Sequence, residues 1–159
     1  MAMPHELSVH LVIHRDAVDA MIGAGDFHAL LAHLDDLQPS LHTPERALAY
    51  EAQFEAIDRL GLVPKNWSLD PAATPKAEQT LAARSGLIRL YLAGIPAPKM
   101  MVQEDGTVGA YWRRGDNYAS VDFDADGMYS WCAAKGSDVV AGAWSDGPLP
   151  IPLRDVIAA

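Results

Sequence analysis

The spacing of apolar residues changes from helical to strand-like near residue 100, and this change constrains the fold more than any other feature. Before that point, apolar side chains recur every three or four residues, as on the buried side of a helix. After it, they alternate with polar or small residues, as Val108, Ala110 and Trp112 do, between turn sequences such as Asp124–Gly127. The pattern predicts an α+β fold, with N-terminal helices packed on a C-terminal antiparallel β-meander of three to four strands.

Four helix starts can be located before the change in spacing. A short helix is predicted from Asp16, and Asp26 precedes an apolar stripe at helical spacing that it is expected to cap. Thr43-Pro44 and Thr74-Pro75 each place a capping hydroxyl before a proline, which fits the first turn of a helix.

The 159 residues fit one domain. Half of the residues are apolar, which excludes a disordered chain and allows roughly two-thirds of the unfolded surface to be buried. We expect a single domain over 1–159, with a mainly helical part (1–61), a connector (62–74) and a part with one helix and the antiparallel sheet (75–159).

The charge balance and the cysteine count exclude several classes of protein. Twelve Lys and Arg residues against 21 Asp and Glu residues give a net charge of −9, which argues against direct binding of nucleic acid. No apolar run reaches the roughly 18 residues that span a bilayer, and the start lacks a signal-peptide pattern. Cys132 is the only cysteine, so no internal disulfide is possible. These features predict a cytoplasmic protein without membrane contact.

The middle of the chain resembles a loose group of small uncharacterised bacterial proteins. The motifs that carry the resemblance follow in order: Asn66-Trp67, a helix, Ile95–Pro98, Asp105–Trp112 and Asp126-Gly127. The similarity covers about residues 64–133, and Ser68-Leu-Asp-Pro71 replaces the glycine-rich run that follows the Asn-Trp pair in the group. The resemblance implies a helix followed by a meander, and it brings no catalytic residues to this chain.

Metal ligands are the main alternative to a plain binding protein. All six histidines lie within the first 42 residues, with His10 and His14 four residues apart and His33 close to Asp35 and Asp36. Imidazoles at that spacing on a helix could share a metal ion. The alternative hypothesis is therefore a metal-dependent enzyme or metal-gated regulator that uses the His-rich N-terminal region.

Asp122-x-Asp124-x-Asp126-Gly127 has the spacing of the first half of a calcium loop. A full loop would place a bidentate Glu at its twelfth position, which is Ala133 here. We interpret the segment as a hairpin turn. The chain also lacks a Ser-centred elbow, a glycine-rich phosphate loop and paired Cys ligands, so we expect no catalytic site and no cofactor.

The predicted sheet offers a candidate partner-binding surface. Tyr111 and Tyr118 are predicted on the face away from the core, and in one register of the third strand Tyr129 and Trp131 join them. In the alternative, the N-terminal helices cover this face and the aromatic residues form a second core. Acidic residues in or beside the predicted turns would complete the surface: Glu104, Asp105, Asp122, Asp124 and Asp126.

Together these features favour a small acidic, non-enzymatic binding protein. Its expected partner is a basic protein, such as a nuclease or nucleic-acid-binding machinery, that is inhibited by steric occlusion. Antitoxins, immunity proteins and anti-defence (anti-CRISPR) proteins act in this way. A module that forms a homodimer through its sheet is a further possibility.

Overall fold

The computed structural model describes residues 16–37, 43–60 and 74–158, and in these the chain forms five helices and five strands. The helices are α1 (residues 16–24), α2 (Phe27–Leu37), α3 (Pro44–Leu60), α4 (Ala77–Leu92) and α5 (Ile151–Ala158). The strands are β1 (Lys99–Val102), β2 (Val108–Arg114), β3 (Asn117–Asp122), β4 (Tyr129–Lys135) and β5 (Asp138–Trp144). The predicted α+β class is confirmed.

The predicted capping residues of α2 and α3 act as expected. The Asp26 carboxylate accepts a hydrogen bond from the Ala29 amide at 3.0 Å, and the Thr43 hydroxyl accepts one from the Arg46 amide at 3.4 Å. Both bonds satisfy amides of a first helical turn that have no partner within the helix.

Helix α4 begins two residues after the predicted Thr74-Pro75 start. Its cap is Lys76, whose amide donates to the Gln79 side chain at 2.8 Å. Gln79 thus satisfies the amide of the cap residue from inside the helix, which is one half of a capping box.

The five strands form one antiparallel sheet in the order β1-β2-β3-β4-β5, so each strand pairs with its neighbour along the chain. This is the predicted meander, with one more strand than expected. Strand β1 was missed because its four residues, Lys-Met-Met-Val, carry almost no β-branched or alternating signal.

The β2–β3 hairpin has a tighter turn than a four-residue Arg113–Asp116 loop, which would pair Trp112 with Asn117. Gly115 adopts φ +59°, so two residues close the turn and Trp112 pairs with Ala119. The register differs by two residues from the one that a four-residue loop would give. Because side chains alternate with a period of two, every residue keeps its predicted face.

One face of the sheet packs against helices and forms the core. Val108, Ala110, Ala119 and Val121 are fully buried on this face, where α4 contacts β2 and α5 contacts β3 and β4. The contact is close at Gly86 of α4, where an added methyl group would not fit, because an ideal Cβ would lie 2.2 Å from the Phe123 ring. The helix can therefore approach the sheet only because residue 86 has no side chain.

A cluster of aromatic residues joins α2, α3 and α4. The Tyr50 and Tyr91 rings meet edge to face with centroids 5.1 Å apart, and the Arg46 guanidinium lies 4.2 Å from the centre of the Tyr91 ring. The Tyr50 hydroxyl donates to the Ile95 carbonyl at 2.7 Å. Burial raises the pKa of Tyr50 far above its ordinary value, despite the opposing effect of Arg46.

Strand β5 forms an exposed edge of the sheet. Six of its seven residues are exposed, and Val139 and Val140 have 63% and 48% of their surface accessible. The β4–β5 ladder runs without interruption from Tyr129–Trp144 to Lys135–Asp138.

Candidate functional site

The face of the sheet opposite the core is not covered by any helix that the structure describes. Most residues on this side, which we call the open face, are half-buried or exposed, whereas most of their neighbours on the core side are buried. Its half-buried or exposed members on the three central strands are Tyr111, Arg113, Tyr118, Ser120, Asp122, Ser130, Cys132 and Ala134. Within the described ranges, the open face is therefore the side of the sheet that the helices leave accessible.

The placement of Tyr129 and Trp131 on this face was wrong. Trp131 pairs with the buried Val121, so both aromatic residues point into the core and retain only 4% and 8% exposure. Tyr129 meets the Phe123 ring edge to face at 5.3 Å. The register of β4, which the sequence left open, puts these residues on the core side.

Tyr111 and Tyr118 do lie together on the open face. Their ring centroids are 6.3 Å apart and the rings are inclined by only 24°. The Arg113 guanidinium lies 5.4 Å from the centre of the Tyr118 ring, within the range of a cation–π contact. The predicted aromatic stripe is thus reduced from four residues to one tyrosine pair.

Four of the five predicted acidic residues meet in a hollow at one end of the open face. Glu104 and Asp105 come from the β1–β2 turn, while Asp122 and Asp124 come from the end of β3. These segments are adjacent because Asp122 pairs with Gly109 at the start of β2. The hollow, hereafter the acidic hollow, has a volume of about 490 Å³, and none of the described residues that line it is cationic.

The carboxylates of the acidic hollow have unequal environments. Partial burial raises the pKa of Asp122, the negative charges of Asp124 and Asp105 raise it further, and a 3.1 Å hydrogen bond from Gln103 opposes the rise. Asp105 shows the opposite behaviour, because a 2.9 Å hydrogen bond from the Thr107 amide lowers its pKa. The hollow thus concentrates negative charge that its own residues do not neutralise.

Asp126 is the acidic residue that stays apart from the hollow. Its carboxylate accepts a 2.9 Å hydrogen bond from the Met128 amide inside the β3–β4 turn, where Gly127 adopts φ +84°. Asp124 accepts a further bond from the Ser130 hydroxyl at 3.0 Å. These contacts confirm the segment as a hairpin turn, since β3 and β4 pair on either side of it.

A second cleft, which the sequence did not predict, lies at the opposite end of the sheet beside the end of β1, and residues from both faces line it. It has a volume of about 690 Å³, and Lys99, Arg113 and Arg114 line it together with the tyrosine pair. In the sequence, Arg113-Arg114 directly precedes the Gly115-Asp116 turn. Its association with Lys99 depends on the β1–β2 pairing, and β1 was not predicted.

The part of the chain that the structure describes contains no cluster of side chains that would support the metal hypothesis. In residues 16–37, 43–60 and 74–158, no group of three or more His, Cys, Asp or Glu side chains is arranged to hold a metal ion. His5, His10, His14 and His42 lie outside the described residues. Likewise, none of the described helices combines the length and apolar character needed to cross a bilayer.

Comparison of the chain with models of protein families, with curated proteins and with solved structures finds no match.

Proposed function

We propose that this chain is a non-enzymatic binding protein that attaches to a basic surface of a protein partner and blocks that surface sterically. The observation that carries the proposal is the acidic hollow, in which four carboxylates surround about 490 Å³ without a cation among the described lining residues. A concentrated negative field attracts a basic partner over several ångströms and raises the association rate.

The environment of the Asp122 carboxylate supports a partner that brings a positive charge into the hollow. Its carboxylate is partly buried and repelled by Asp124 and Asp105, and these effects raise its pKa. A lysine or arginine side chain entering the hollow would stabilise the ionised form and lower this pKa. Binding would then relieve a repulsion that the unbound protein contains.

The tyrosine pair supplies apolar contact area beside the charged region. Tyr118 and Asp122 lie on the same face of β3, four residues apart, which places them about 13 Å from each other along the strand. Tyrosine combines a large apolar ring with a hydroxyl and often anchors protein interfaces. The hollow would steer the partner, and the tyrosines would hold it.

The proposed partner class is a nuclease or another protein with a nucleic-acid-binding groove, because such grooves are rich in Lys and Arg. A protein that fills such a groove would act as an inhibitor of the antitoxin, immunity or anti-defence type.

A capture experiment with charge-matched variants tests the proposal. The immobilised protein is exposed at low salt to lysate of the cells in which it is found, and captured proteins are identified by mass spectrometry. The variant Glu104→Gln/Asp124→Asn removes two charges from the acidic hollow, whereas Asp19→Asn/Glu55→Gln removes two from exposed helix positions. Both variants change the net charge from −9 to −7, since each loses two acids.

We expect wild type and the helix variant to capture the same basic protein, and the hollow variant to bind it about tenfold more weakly. Equal weakening by both variants would mean that only the total charge matters. Failure of the wild type to capture any basic protein at low salt would also contradict the proposal.

A further inference from the structure

The cleft opposite the acidic hollow is formed where strand β1 ends. Lys99 pairs with Tyr111, and β2 continues for three more residues, Trp112 to Arg114, without a partner in β1. The preceding segment turns toward the other face, where the Trp112 indole nitrogen donates to the Pro96 carbonyl at 2.9 Å. This notch, together with residues of α5, encloses about 690 Å³.

The charge of this cleft is opposite to that of the whole chain. Lys99, Arg113 and Arg114 line it, and none of the described lining residues is acidic, although the net charge of the protein is −9. Asp116, in the adjoining turn, is exposed and does not line the cleft. Three cations around one concave surface create a local positive potential that attracts anions.

The walls of the cleft are aromatic and apolar. Tyr111 and Tyr118 present two nearly parallel rings, and the Arg113 guanidinium lies against the Tyr118 ring. On the core side of the β1 end, Val156 and Ile157 of α5 add apolar surface to the lining. Rings held by a sheet lose little conformational freedom when a flat ligand packs against them.

We infer that this cleft binds a small ligand that joins a planar ring to a phosphate group, in the class of nucleoside monophosphates and diphosphates. The ring would pack against the tyrosine pair, and the phosphate would accept hydrogen bonds from Arg113, Arg114 and Lys99. Arginine suits this role because its planar group donates two parallel hydrogen bonds to phosphate.

The dimensions favour this class over simpler anions. Small-molecule sites measure roughly 300–1,000 Å³ and combine apolar walls with a few polar groups that fix orientation. A bare phosphate ion would leave the aromatic wall unused, and an uncharged aromatic compound would leave the three cations unused. Only a ligand with both parts matches the whole lining.

Isothermal titration of the purified protein with adenosine diphosphate, guanosine monophosphate, adenosine and inorganic phosphate tests the inference. We expect the two nucleotides to bind at low salt, and adenosine and phosphate each to bind at least about tenfold more weakly. Failure of both nucleotides to bind at millimolar concentration would overturn the inference. Equal affinity for inorganic phosphate would overturn it as well, since the rings would then contribute nothing.

Single substitutions locate the site. Arg113→Gln should weaken nucleotide binding by about tenfold or more, whereas Arg59→Gln, which removes a charge from an exposed position of α3, should leave it unchanged. Tyr118→Leu should weaken nucleotide binding and leave the weaker phosphate binding unchanged. Equal effects of Arg113→Gln and Arg59→Gln would refute this location of the site.

The two proposals can fail separately. The hollow variant Glu104→Gln/Asp124→Asn should retain full nucleotide affinity, because its changes lie at the other end of the sheet.

Discussion

Replacing Gly86 by alanine tests the packing of helix α4 on the sheet. The new Cβ would lie 2.2 Å and 2.3 Å from two carbons of the Phe123 ring, far inside contact distance. Phe123 is fully buried, so its ring cannot move into solvent. Overpacking of this kind costs about 3 kcal/mol, at the upper end of the usual range. The higher helix propensity of alanine offsets about 1 kcal/mol of this cost, so the free energy of unfolding should fall by about 2 kcal/mol.

Gly23 provides a control in which substitution by alanine should increase stability. It also lies in a helix, α1, but it is exposed and an added Cβ would meet nothing within 4 Å. Gly23→Ala should therefore increase the free energy of unfolding by about 0.5–1 kcal/mol.

Urea unfolding followed by circular dichroism measures both variants. For a domain of this size, the loss expected for Gly86→Ala corresponds to a fall of about 4–8 °C in Tm. The double variant Gly86→Ala/Phe123→Leu should lose less than the sum of the two single changes, because the smaller side chain makes room for the methyl group. If Gly86→Ala proves as stabilising as Gly23→Ala, the close contact of α4 with the sheet is refuted.

Two further predictions concern pH. Burial raises the pKa of Tyr50, so folding favours its neutral form, and the stability this contributes should be lost as pH rises above the ordinary value of 10.0. Tyr50→Phe should cost about 1 kcal/mol at neutral pH through the lost bond to Ile95, yet reduce the loss of stability between about pH 9 and pH 11 in urea titrations. An unchanged alkaline slope would contradict this reasoning. Asp122 also has a raised pKa, so its contribution is favourable below 3.8 and is lost as pH rises through the folded-state value. Asp122→Asn keeps an acceptor for Gln103 and should unfold at a higher urea concentration than wild type at neutral pH. The difference between the two urea midpoints should shrink at mildly acidic pH, where Asp122 becomes protonated. A difference that stays constant with pH would argue against the repulsion.

The sequence predicts the face of the sheet on which a side chain lies even when the strand register is wrong by two residues, because side chains alternate with a period of two. Trp112 pairs with Ala119 instead of Asn117, but alternation keeps Trp112 on the core side. For Tyr129 and Trp131 the sequence left two registers of opposite parity, and only the pairing of Trp131 with Val121 decides between them.

The carboxylates of the acidic hollow could be named from the sequence, because they lie in or beside turns that Asp and Gly mark clearly. That they meet depends on the pairing of Asp122 with Gly109, which the sequence did not predict. The basic cleft could not be anticipated, because it depends on where β1 stops and on α5. Helix α5 carries the signal Leu153, Val156 and Ile157 at helical spacing, but in only eight residues after Gly147-Pro148. Short elements of this kind gain their stability from packing, which the local sequence does not reveal.

The exposed position of β5 has a consequence for the order in which the sheet opens. This strand has a single neighbour, β4, to which it is held by one ladder, by the Trp131 ring lying over Gly142, and by the Trp144 ring 5.6 Å from Tyr129. Its release would leave the ladders among the other four strands intact. Amide protons of β4 that bond to β5 should therefore exchange with deuterated solvent before those between β2 and β3, and the emission of the two indoles would report the same event.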